Sequence, residues 1–131
     1  MLPRDHDYIC AVTIEARPLR IHDVEDGLAA KRLGTRFHYF HEIDSTNNYA
    51  RSLAEEGEPH GAIVIAEQQT LGRGRLGRRW VSPPYANLYC SIILRPKLPP
   101  AHAPRITLTA AVALADAIAS FTPVAPAIKW P

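Results

Sequence analysis

The sequence predicts an α/β chain (α+β in its layering) in which short strands and helices are interleaved. Three observations lead there. Residues 61–66 (Gly-Ala-Ile-Val-Ile-Ala) and 88–94 are near-continuous apolar runs of strand length. Residues 36–43 alternate, with Phe37, Tyr39, His41 and Ile43 on one face. The segments 44–57 and 104–120 repeat their apolar residues at helical spacing. With 131 residues, 47% hydrophobic and 21% charged, the chain is long enough for one domain with a core of its own.

Each element has a local reason. Asp44-Ser45-Thr46-Asn47 opens the first clear helix, and either Asp44 or Ser45 can cap its orphan N–H groups. Tyr49, Ala50, Leu53 and Ala54 form its apolar stripe, and Gly57 ends it. An N-cap accounts for one of these four polar residues; the others can face a ligand from the helix start. The run 61–66 leads into Glu67-Gln68-Gln69-Thr70. Two glutamines at the end of a buried strand are costly without partners, which puts them at a pocket rim. Pro99 and Pro100 make a stiff turn before a helix over 104–120, apolar nearly all round and so expected to be buried on more than one side. Val124–Trp130 reads as a further strand and Leu28–Leu33 as a short helix stopped by Gly34. His38 and His41 lie on opposite faces of their strand, which favours hydrogen-bonded or solvated histidines over metal ligands.

The most unusual stretch is 72–80, Gly-Arg-Gly-Arg-Leu-Gly-Arg-Arg-Trp. It holds three glycines, four arginines and no acid. The chain has 15 Lys plus Arg against 13 Asp plus Glu; without these four arginines the balance turns acidic. Positive charge is thus focused in one loop, whose backbone N–H groups and guanidinium forks suit a phosphate or a carboxylate. The same string fits the dinucleotide fingerprint G-x-G-x-x-G. That reading needs a helix next and an acid about 20 residues on. Here Pro83 and Pro84 follow, then Arg95 and Lys97, so a Rossmann site is excluded.

A net charge of +2 is too mild for wholesale nucleic-acid binding. Cys10 and Cys90 make neither a C-x-x-C pair nor a disulfide framework. The amino end lacks the apolar run of a signal peptide, and the most apolar stretch, 110–119, is short and contains Asp116. The expectation is a cytoplasmic protein with neither DNA nor membrane as partner.

With these residues assembled, the chain resembles the catalytic domain of the biotin protein ligases (biotin–[acetyl-CoA-carboxylase] ligases). The resemblance rests on Asp44-Ser45-Thr46-Asn47, Ala66-Glu67-Gln68-Gln69, the run 72–78 with Trp80, Ala86-Asn87-Leu88-Tyr89, and Lys129-Trp130-Pro131, in the family's order. It implies a mixed β-sheet flanked by helices, related to class II aminoacyl-tRNA synthetases. It also implies an enzyme that joins biotin to ATP, with Mg2+, as biotinyl-5′-AMP. Biotin then passes to a lysine of a biotin carboxyl carrier protein. By the same resemblance Arg73, Arg75 and Arg78 are the catalytic arginines. Ser45, Thr46, Asn47, Gln69, Arg73, Gly74 and Arg75 bind biotin. Gly72, Gly74, Arg75, Gly77, Arg78, Trp80 and Lys129 bind ATP, with no metal ligand among the protein's residues. Trp80 is the residue expected to stack on adenine; its alternative is a core anchor.

The resemblance implies further expectations. Residues 1–27 form an amino-terminal extension with no DNA-binding domain, which points to the ligase-only class. Residues 28–131 form the catalytic domain, incomplete at its carboxy-terminal end and therefore of doubtful activity alone. An open sheet edge there would favour association between copies of the chain. Two other readings stay open: a lipoate ligase or octanoyltransferase acting on related carrier domains, and a non-catalytic ligand-binding module.

Overall fold

The structure, a computed structural model, describes residues 17–28 and 32–128. It divides into two compact units, one ending at Arg95 and the other beginning at Pro96.

The first unit is built on a three-stranded sheet, β1 (Phe37–Ile43), β2 (Ile63–Gln69) and β3 (Tyr89–Ile92), in the order β1-β2-β3. β1 and β2 run parallel, with Phe37 beside Ile63 and Ile43 beside Gln69. β3 pairs antiparallel on the other side of β2, with Ala66 beside Tyr89. The sheet is therefore mixed, as the sequence led one to expect. β2 is the central strand, which explains its unbroken apolar run. It runs on through Glu67-Gln68-Gln69, three residues past the apolar stretch, because β1 still offers a pairing edge there.

A parallel pair needs a crossover, and the helix α2 (Thr46–Glu55) supplies it. Its apolar stripe packs Ala50 on Ala62, Val64 and Ile93, with Phe40, Tyr49, Leu53 and Ala54 around them. Phe40 and Tyr49 meet edge to face at 4.8 Å. The helix stops at a Schellman turn: Gly57 has φ of 95°, and Glu58 N–H donates to the Leu53 carbonyl at 2.9 Å. Arg95 adds a guanidinium to the same carbonyl-rich end, donating to Ala54 at 2.6 Å and to the Glu58 carbonyl at 2.9 Å. His38 is hydrogen-bonded, 3.0 Å from Glu58 Oε1, which fits the reading from the sequence.

Three expectations need correction. The helix expected over Leu28–Leu33 is not seen at Leu28, Arg32 or Leu33, the rest lying outside the described residues. A seven-residue helix, α1 (Ile21–Gly27), precedes it, without a side-chain cap and with no buried residue. Val124–Trp130 is not a strand at 124–128, and Lys129–Pro131 lie outside the described residues. A strand needs a paired neighbour, and among the described residues the unit from Pro96 contains none. Helix α3 (Ala103–Phe121) has the expected span, with Pro104 in its first turn, but none of its residues is buried. Among the described residues its own unit offers only a short turn, Pro100–His102, against which to pack. By length and composition Pro100–Phe121 also passes for a membrane span, with mean hydropathy 1.3. It is longer than the apolar stretch picked out from sequence, which stopped at 110–119.

One glycine controls the entry to β2. Gly61 has φ of 90°, its N–H donates to the Ile93 carbonyl at 2.8 Å, and a Cβ there would lie 2.2 Å from the Arg32 carbonyl oxygen. Gly61→Ala should therefore destabilise the unit by about 2–4 kcal/mol. Gly27→Ala, where a Cβ meets nothing within 4 Å, should change little. Urea unfolding midpoints of the two variants decide it; equal midpoints would remove Gly61 from this role.

Candidate functional site

The site grows from the junction of β1 and α2. Ser45, extended and only 1% exposed, is the N-cap, its Oγ accepting from Asn48 N–H. Asp44 is thereby left for other work. Its Oδ2 accepts from Asn48 Nδ2 at 3.0 Å. That bond first and then the Ser45 backbone N–H hold its carboxyl below the usual carboxylate range; burial opposes them, and its own backbone N–H and the Arg73 charge add smaller contributions. Thr46 turns its N–H and its hydroxyl to Gln69 Oε1, at 2.9 and 3.1 Å. The strand end therefore satisfies an orphan donor of the helix start. Ser91 of β3 donates to Thr46 Oγ1 at 3.0 Å, and Gln69 Nε2 donates to Ser82 Oγ at 3.2 Å.

The chain leaves β2 along this junction. Thr70 N–H donates to the Ile43 carbonyl and Leu71 N–H to that of Asp44, at 2.9 and 2.8 Å. Residues 72–80 then fold back as a narrow hairpin. Trp80 N–H donates to Gly72 and Gly74 N–H to Arg78, at 2.8 and 2.7 Å, and Arg73 bridges Arg79. The tip, Arg75–Gly77, is a 3-10 turn with Leu76 left-handed at φ of 58° and 94% exposed.

The glycines of this hairpin have a packing reason. A Cβ on Gly72 would lie 2.6 Å from the Trp80 carbonyl oxygen, and one on Gly74 3.0 Å from that of Arg78. Those glycines permit close strand approach, and the Gly74 N–H is spent inside the hairpin. The guanidinium groups of Arg73 and Arg78 remain for an anion. Among the described residues neither Arg73 nor Arg78 forms an ion pair.

Two clefts result. One, of about 340 Å³, is lined by Ser45, Thr46, Asn47, Gln69, Arg73 and Gly74. The other, of about 430 Å³, lies between Asn48, Leu71 and the hairpin residues Gly72, Arg73, Gly74, Gly77, Arg78 and Arg79. Arg73 and Gly74 belong to both, so the clefts adjoin. The first brings together all the residues expected at a biotin site except Arg75, of which only the backbone is described. Gly72, Gly77 and Arg78, expected at the nucleotide, line the second. Trp80 lines neither, and at 62% exposure it is no core anchor. Lys129 lies outside the described residues. The sequence reading missed Asn48, Leu71, Arg79, Ser82 and Ser91. Only Arg79 carried a signal, its place in the arginine run.

Glu67 takes no part in these clefts. It is 5% exposed and accepts from Tyr39 Oη at 2.7 Å and from the Leu19 N–H. Burial first, and then the Glu67 carboxylate, push the Tyr39 hydroxyl up to about 12.

Comparison with known proteins follows the same lines. Residues 39–131 match the biotin/lipoate A/B protein ligase family. The bifunctional ligase/repressor BirA of Bacillus spizizenii is 38% identical over 109 residues, 83% of this chain and 34% of that protein. The biotin–[acetyl-CoA-carboxylase] ligase of Paracoccus denitrificans is 43% identical over 90 residues, 67% of this chain and 37% of that protein. The biotin protein ligase of Aquifex aeolicus, solved in complex with biotin and ATP, superposes with a TM-score of 0.62 at 32% identity, covering 74% of this chain and 40% of that one. The chain thus spans little more than a third of the length of these curated relatives, 34% and 37%.

The Tyr39–Glu67 pair makes a pH prediction. The folded hydroxyl holds its proton to about 12, above the unfolded value of about 10. The folded form therefore binds more protons in that window, and stability present below pH 10 is lost as pH rises through it. Thermal unfolding at several pH values should show wild type losing stability relative to Tyr39→Phe between about pH 10 and 12. Parallel curves for the two proteins would refute the coupling.

Proposed function

The chain belongs to the biotin/lipoate A/B protein ligase family, and from that premise we propose that it carries part of the active site of a biotin–[acetyl-CoA-carboxylase] ligase. One observation carries this reading. The smaller cleft is lined by neutral polar side chains, Ser45, Thr46, Asn47 and Gln69, together with one cation, Arg73. Biotin has matching groups, a neutral ureido head and a carboxylate tail. The adjoining cleft, with Arg73, Arg78 and Arg79, suits the phosphates of ATP.

The chemistry asks for that arrangement. A carboxylate oxygen of biotin attacks the α-phosphorus of ATP, and the bond to pyrophosphate breaks, leaving biotinyl-5′-AMP. Two anions must meet, and arginines offset their repulsion and stabilise the charge that builds up on the phosphorus oxygens. Arg73, Arg75 and Arg78 take that role in this reading. In the second step a lysine amine of a carrier protein attacks the acyl carbon, AMP leaves, and an amide remains. Trp80, with an exposed indole, offers a flat face for adenine, and Lys129 is assigned to the nucleotide by the family resemblance alone. Mg2+ is expected to accompany the triphosphate, and no step is routed through it here.

Arg73 adjoins both clefts, so Arg73→Ala should weaken binding of both biotin and ATP, each by about 1.5–3 kcal/mol. Calorimetry with biotin, lipoate and ATP reads this directly. Biotin should bind in preference to lipoate, whose dithiolane cannot use the neutral polar groups. Preference for lipoate would point to lipoate chemistry. An Arg73→Ala chain that kept both affinities would remove the arginine hairpin from the site.

A further inference from the structure

The polar groups around Gln69 form a hydrogen-bond chain with one direction. The Thr46 backbone N–H can only donate, so the amide atom it meets at 2.9 Å is Oε1. The Thr46 hydroxyl, 3.1 Å from the same oxygen, must donate as well. It is then left to accept from Ser91 Oγ at 3.0 Å. Nε2, at the other end of the amide, donates to Ser82 Oγ at 3.2 Å. Protons therefore point from Ser91 to Thr46, from Thr46 to Gln69, and from Gln69 to Ser82. Both lone pairs of Oε1 are used, while one Nε2 N–H and one lone pair on Thr46 Oγ1 remain.

Neither serine lines the cleft that Thr46 and Gln69 line. Each is held by the fold. Ser91 sits in β3, beside Val64. Ser82 is 5% exposed, and its carbonyl accepts from the Gln69 N–H at 3.3 Å. Its Oγ lies over Gly72, 2.8 Å from where a Cβ would stand, so a glycine there leaves room for the serine.

We propose that Ser82 and Ser91 are positioning residues that lock the Gln69 amide and the Thr46 hydroxyl in one orientation. The cleft then offers one N–H from Gln69 beside one lone pair from Thr46. That pattern selects a neutral group carrying an acceptor next to a donor, such as the edge of a cyclic urea, over a thioether, a dithiolane or a charged head. The inference rests on reading this cleft as the biotin end, and it assigns two residues from outside the cleft to its selectivity.

The test uses Ser82→Ala, Ser91→Val and Ser91→Thr in the full chain. The last two have nearly the same shape and differ in the hydroxyl. The probes are biotin and ATP by calorimetry, with the Gln69 side-chain amide followed by NMR without ligand. Ser82→Ala and Ser91→Val should shift the Gln69 amide protons, weaken biotin binding about 3- to 10-fold and leave ATP binding unchanged. Ser91→Thr should restore the wild-type amide signals and biotin affinity. Unmoved amide signals, or a Ser91→Thr chain no better than Ser91→Val, overturn the proposal. So do equal losses for biotin and ATP, the mark of a merely structural role. A wild-type chain that binds no biotin overturns the ligase reading of the cleft, while the amide signals still decide the hydrogen-bond chain.

Discussion

β2 is held in register on both sides, and the pairing that sets Gln69 beside Ile43 is the constraint from which the site follows. Because β1 ends where α2 begins, a side chain at the end of β2 falls next to the helix start. The first N–H groups of any helix lack partners within it. Here one of them, on Thr46, is met by Gln69 Oε1 and another, on Asn48, by Ser45 Oγ. A slip of one residue along β2 would carry Glu67 and Val64 to the wrong faces. It would bury a carboxylate against the apolar stripe of α2 and strip the helix start of its acceptor.

The same register decides where the arginines go. Thr70 and Leu71 continue the pairing onto the carbonyls of Ile43 and Asp44, so the hairpin leaves the sheet from the helix start and nowhere else. Its own backbone bonds then consume N–H groups that an open loop would have offered to an anion. What the hairpin presents is guanidinium charge, and Arg73 adds a small stabilisation to the Asp44 carboxylate. Cationic side chains that form no ion pair carry an electrostatic cost in the free protein, which an anionic ligand would relieve. Neutral donors and acceptors line the smaller cleft beside Arg73. The two kinds of group make opposite demands on a ligand, and that contrast is the basis for reading the cleft as one for a neutral head and an anionic tail.

Much of the fold was legible in the sequence, wherever one segment carries its own signal. Alternation placed β1 over 36–43 to within a residue, Gly57 marked the end of α2, and Pro104 sits in the first turn of α3, as its chemistry requires. The polar run after Asp44 and the glycine/arginine run were visible as a site by composition alone, and six of the residues singled out there do line one cleft. The failures have a common origin. Val124–Trp130 has strand composition, but strand propensity is realised only against a paired edge. α1 has neither cap nor buried residue, so nothing local announces it.

What the sequence by itself determined is thus the set of elements and the chemical character of the site: neutral polar groups at a helix start, arginines in a tight glycine-punctuated turn. Which of those groups face one another was decided only by the tertiary structure. Ser91 lies 45 positions from Thr46 in the chain, and no periodicity or spacing connects them; the antiparallel pairing of β3 does. Glu67 and Gln69 read alike as polar residues at a strand end. Yet one is buried against Tyr39 and the other joins the helix start. Hydrogen bonds are short and directional, so partners must be brought within about 3 Å in the right orientation. Sheet register meets that condition, and a linear string of residues does not contain it.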